Sequence, residues 1–94
     1  MSNLKGISQV IRHIIRENGW EEKINKQKLY IAWDTVMGPA VAKHTESIYL
    51  QGRKLVIKID SAPLKHELSM QRSRIIDLLK EQTGMDMVDT VVIR

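Results

Sequence analysis

Between residues 48 and 60 the hydrophobic pattern changes period. Ile48 and Leu50, then Leu55, Ile57 and Ile59, occupy alternate positions, with Tyr49, Val56, Lys58 and Asp60 between them. Successive strand side chains point to opposite faces, so this alternation predicts two half-buried strands. Gln51-Gly52-Arg53-Lys54 supplies the tight connection of a hairpin. The fold must therefore contain a sheet, and the flanking segments decide its class.

Those flanks have helical spacing. Leu4, Ile7, Val10, Ile11, Ile14 and Ile15 share one stripe, with Lys5, Arg12, His13 and Arg16 outside it. Asn18-Gly19 stops that helix, because both residues tolerate the left-handed conformation. A second helix is predicted from near Trp20, with Glu21 and Glu22 suited to its positive end. Leu29, Ala32, Trp33 and Val36 form its apolar face, Gly38-Pro39 ends it, and Ala40 to Lys43 suit one further turn.

Beyond the hairpin, Ser61 can cap a helix that tolerates Pro63 in its first turn. Leu64, Leu68, Ile75, Leu78 and Leu79 give this single helix an inward stripe, and Gly84 stops it. Val88 to Ile93 is β-branched enough to be a final strand. The predicted order is ααββαβ. This is an α+β fold, a three-stranded sheet with helices packed mainly on one face. Residues 1–94 make a single domain, since smaller pieces could not each bury a core.

Composition narrows the classes of function. At 43% hydrophobic and 28% charged, the chain reads as globular rather than disordered. It has no cysteine, which excludes disulfides, thiolate metal ligands and thiol nucleophiles. No apolar run approaches a membrane span, and Met1 to Gly6 lack the apolar stretch of a secretory signal. A cytoplasmic location without membrane contact is the expectation.

The formal charge of +4 is unevenly placed. Residues 52–80 hold Arg53, Lys54, Lys58, Lys65, Arg72, Arg74 and Lys80 against Asp60, Glu67 and Asp77, and the rest of the chain is neutral. The basic excess thus lies on the hairpin and the helix after it. A nucleic-acid face and a solvated Lys/Arg surface are the two readings of so modest a bias.

Catalytic chemistry finds no foothold. His66-Glu67-Leu68-Ser69-Met70 begins like a zinc-protease helix but places Met70 at the second ligand position. His13 and His44 stand alone, and Ser61, Ser69 and Ser73 have no evident base and acid partners. The five glycines are too widely spaced for a phosphate loop. The expectation is a non-enzyme with no metal and no cofactor.

Among the aromatics, Trp33 lies on the apolar stripe and is expected in the core, with a partner anchor as the alternative. Trp20 suits a hydrophobic staple or a surface position. Tyr49, on the polar phase of its strand, can stack on a base if that sheet face is open, with ordinary surface packing the plainer alternative.

The pattern Trp33-x4-Gly38, His44-Thr45, Gly52-x2-Leu55-x-Ile57, Ser61 and Glu67-Leu68, closing on Ile93-Arg94, resembles the DciA family from about Ile7 to Arg94. The resemblance implies a K-homology-like core and an association with loading or operating the DnaB-type replicative helicase. The Gly-x-x-Gly loop of true K-homology domains is missing, so phosphate gripping by that device is not expected. Many family members also carry a long disordered extension, so this chain looks like the minimal domain.

The function implied is a replication adaptor without ATP hydrolysis of its own. It would bind the replicative helicase and bias the ring towards a DNA-loaded state. Single-stranded DNA would be held weakly by Arg53, Lys54, Lys58, Arg72 and Arg74, acting on phosphates without sequence preference. The alternatives are a general RNA-binding module and a protein-interaction or dimerisation domain.

Overall fold

The alternating segment folds into the predicted hairpin, with β1 at Thr45–Gln51 and β2 at Lys54–Ile59 paired antiparallel. Gly52 and Arg53 form the link, and only Gly52 takes a positive φ, 63°. A two-residue turn of type II′ requires that conformation at its first central position. The last strand, β3 at Thr90–Ile93, joins β2 on its other side in parallel, giving the order β1-β2-β3. The central strand is the one with the most aliphatic residues, Leu55, Val56, Ile57 and Ile59, and Leu55 and Ile57 are fully buried.

This computed structural model describes Val10 and residues 19–94. The predicted N-terminal helix, Val10 apart, lies outside the described residues. The second predicted helix is α1, Trp20–Met37, and buries Leu29, Ala32 and Trp33, with Val36 half-buried beside them. A single turn, α2 at Pro39–Lys43, follows Gly38. Gly38 has φ 84° and ψ 175°, a region open essentially to glycine alone, and this sets the corner between the two helices.

The segment from Ser61 to Gly84, predicted as one helix, is two: α3 at Ala62–Ser69 and α4 at Arg72–Thr83. The reason lies in the stripe itself. Three and four residues beyond Leu68 stand Gln71 and Arg72, so the apolar face is interrupted where a continuous helix needs it. Met70 N donates to Glu67 O at 3.2 Å and Gln71 N to Leu68 O at 3.0 Å, a tightened last turn that redirects the chain. Ser61 caps α3 as predicted, its hydroxyl accepting from Leu64 N at 3.4 Å. With the break, α3 lies against β2 and β3, while α4 lies against α1 and β3.

The core forms where the helices meet one face of the sheet. Leu29 and Trp33 of α1, Leu68 of α3, and Ile75 and Leu79 of α4 close over Leu50, Leu55, Ile57, Ile59 and Val91. Tyr30 of α1 reaches the outer edge of β1, where its hydroxyl accepts from Leu50 N at 3.1 Å and occupies an otherwise open donor. The opposite sheet face carries Tyr49 paired with Val56. Alternation predicts a half-exposed Val56, yet it is only 2% exposed and stands outside the main cluster.

Candidate nucleic-acid interface

The five predicted phosphate-binding residues fall into separate places. Arg53, at the hairpin turn, is already engaged. Its Nε donates to Asp89 Oδ2 at 2.8 Å, its Nη2 to Asp86 Oδ1 at 2.8 Å and Asp89 Oδ1 at 2.9 Å, and its Nη1 to Asp86 O at 3.0 Å. Hydrogen bonding to Asp89 holds the guanidinium above its ordinary range and the Asp89 carboxyl below the usual carboxylate range. Lys80 Nζ adds a looser contact to Asp86 at 3.8 Å. The cluster is exposed, so its effect is to orient the loop before β3 more than to stabilise the fold.

Lys54 opens β2 immediately beside this cluster, opposite Thr90. Lys58 lies further along the same strand, with its ammonium 3.3 Å from Glu46 of β1. Arg72 and Arg74 sit elsewhere, in the first turn of α4, which holds no acidic residue. Both are exposed, and neither makes an ion pair with the described residues. Arg53 shares Asp86 with Lys80 near the C-terminal end of α4. Arg72 stands eight residues earlier, or about 12 Å along the axis at 1.5 Å per residue. One continuous basic strip is therefore not formed.

The corner between α3 and α4 is a shallow open depression lined by Ser69, Met70, Gln71, Arg72, Ser73 and Arg74. None of these is acidic. Met70 is 70% exposed, more than any other large apolar side chain among the described residues. Tyr49, 40% exposed, faces the sheet side away from the core, where Lys54 and Lys58 are accompanied by Glu46 and Asp60. Trp20 and Ile31 of α1 are also exposed.

Asp86 and Asp89 were not legible as partners of Arg53, because only the parallel pairing of β3 with β2 brings residue 89 to residue 53. His44 Nδ1 lies 2.6 Å from Asp60 Oδ1, and Asp60 N donates to His44 O at 3.0 Å, which fastens the start of β1 to the end of β2. His66 is exposed on α3, and no group of three or more His, Asp or Glu able to hold a metal occurs among the described residues. No helix among them is long and apolar enough to cross a membrane.

The model of a family described as Dna[CI] antecedent, DciA, matches residues 6–93. A UPF0232 protein of Corynebacterium glutamicum (strain R) is 24% identical over 84 residues, covering 89% of this chain and 47% of that protein. The chain spans about half the length of that curated relative.

Proposed function

The chain belongs to the DciA family, whose model spans residues 6–93, and from that premise we propose that it is a non-enzymatic adaptor of the replicative DNA helicase. It binds a DnaB-type helicase and assists its loading or operation, in the cytoplasm. The work is done by binding energy that favours the DNA-loaded ring, with the helicase supplying all nucleotide hydrolysis. The observation that carries this reading is the near-complete coverage of the chain by the family model.

DNA binding is the second half of the proposal. Single-stranded DNA is held weakly and without sequence preference by cations on β2 and α4, with Lys54, Arg72 and Arg74, which pair with no acidic group among the described residues, turned to phosphates. Lys58 can join them by exchanging its exposed contact with Glu46, which is worth little in water. Interferometry of the purified chain on immobilised helicase, with and without single-stranded DNA, tests the reading. Saturable binding supports it; no binding at high micromolar concentration by a folded domain removes the helicase role.

A further inference from the structure

We propose that β3 pairs edge to edge with β3 of a second copy of this chain, antiparallel about a two-fold axis at Val92, so that two sheets join into one. The proposal is independent of the helicase and DNA roles.

The two edges of the sheet are built differently. An edge strand presents backbone donors and acceptors that another strand can take up, and proteins blunt it with a bulge, a proline, a charge or a cover. β1 is blunted twice: its register shifts between Thr45 and Ser47, and the Tyr30 hydroxyl accepts from Leu50 N. β3 has neither device. Thr90–Ile93 contains no charge and no proline, and its register against β2 runs unbroken.

The hydrogen bonds show which groups of β3 are left over. On the inner side Thr90 N donates to Arg53 O at 3.3 Å and Arg94 N to Ile57 O at 2.8 Å, while Arg94 O accepts from Ile59 N at 2.8 Å. Backbone groups alternate in direction along a strand, so those of Val91 and Ile93 point away from β2. Neither N–H has an acceptor among the described residues.

The charges bounding the strand favour a second copy in the antiparallel sense. Asp89 precedes β3 and Arg94 follows it. With Val92 on the axis, Val91 faces Ile93 of the second copy and Ile93 faces its Val91, which bonds the outward groups of both strands. Thr90 then faces Arg94 of the second copy. That guanidinium arrives at the end of the strand where Asp86 and Asp89 lie against Arg53, with Lys54 one strand further in. Parallel pairing would instead set like charges side by side. On the sheet face away from the helices, Tyr49, Val56 and Val92 form a row that runs across the strands to this edge. Val92 is only half-buried there, and Val92 of the second copy would continue the row. Such an isologous contact closes on itself, and the blunted edge of β1 stops growth at the dimer.

The test is sedimentation equilibrium of the full chain across a concentration series, with a thermal melt confirming that each variant is folded. A reversible monomer–dimer equilibrium is expected. Ile93→Pro removes an outward N–H but leaves the bonds of Thr90 and Arg94 to β2 in place, and proline is tolerated on an edge strand. It should weaken the dimer on the order of tenfold or more. Val92→Lys and Val92→Glu each set like charges across the axis, so either alone should be monomeric, while an equal mixture of the two should dimerise. A parent chain that stays monomeric up to its solubility limit overturns the proposal. So does a dimer that persists in Ile93→Pro and in both Val92 variants. A mixture that stays monomeric overturns the register about Val92, and association past the dimer overturns the closure.

Discussion

Trp33 donates its indole N–H to the hydroxyl of Thr45 at 3.1 Å, and that hydroxyl donates in turn to the carbonyl of Val41 at 2.8 Å. One side chain thus ties together α1, α2 and the start of β1. Trp33 is fully buried, so its polar edge needs such a partner. The bulge at Glu46 makes the partner available. It sets Thr45, rather than Glu46, opposite Ile59 on the side facing the helices.

Thr45→Val leaves the buried indole N–H unpaired, while the Val41 carbonyl keeps the backbone N–H of His44 at 3.1 Å. The expected loss is about 1–3 kcal/mol, read as a lower midpoint in urea. Thr45→Ser keeps the hydroxyl and should lose about 1 kcal/mol or less. Equal losses in the two variants would mean that the hydrogen bond contributes nothing beyond the methyl group.

Gly38 has open space around the position a Cβ would take, so size is not what selects glycine there. Its φ of 84° with ψ of 175° is. Gly38→Ala is expected to cost about 1–3 kcal/mol through backbone strain, measured by denaturant melting. A stability unchanged from the parent would show that the corner after α1 can be reached by another route.

Leu55 is the second residue of the central strand and is fully buried in the core. Leu55→Ala should cost about 2–5 kcal/mol, whereas Lys54→Ala next to it, fully outward, should stay within about 0.5 kcal/mol. Calorimetry of the pair compares core and surface on one strand.

The Arg53–Asp89 contact makes stability depend on acid. The Asp89 carboxyl is held below its unfolded value by Arg53, and an unfolded aspartate titrates near about 3.9. Its contribution is therefore present above that value and is lost as the pH falls through the folded one. Asp89→Asn should lower the melting temperature at neutral pH, and the gap should close in acid and in high salt. A gap independent of pH and salt would show that the charge of the Asp89 carboxylate does not carry the effect.

Much of this architecture can be read from particular residues. Alternation over Ile48–Ile59 identified both strands, the Gly38-Pro39 pair marked the end of α1, and Ser61 and Gly84 bounded the helical segment before β3. The break at Met70–Gln71 was also present, as the missing apolar positions after Leu68, but outer residues of a stripe are easily discounted. Other features depended on tertiary context. A bulge shifts register without leaving a mark in composition, and the clamp on Arg53 depends on which edge of β2 the last strand takes. For the same reason charge counting joined Arg53 to Arg72 in one basic group, although the fold separates them.

The parallel pairing of β2 with β3 carries a consequence for assembly. The hairpin closes over two residues, whereas the second ladder joins Lys54 to Thr90 across both intervening helices. Such long-range closure is slow, because its entropy is lost before its contacts are gained. Loop closure therefore favours assembly with the hairpin first and the last strand late. Until Thr90–Ile93 arrives, the inner edge of β2 is an open template for any extended chain nearby.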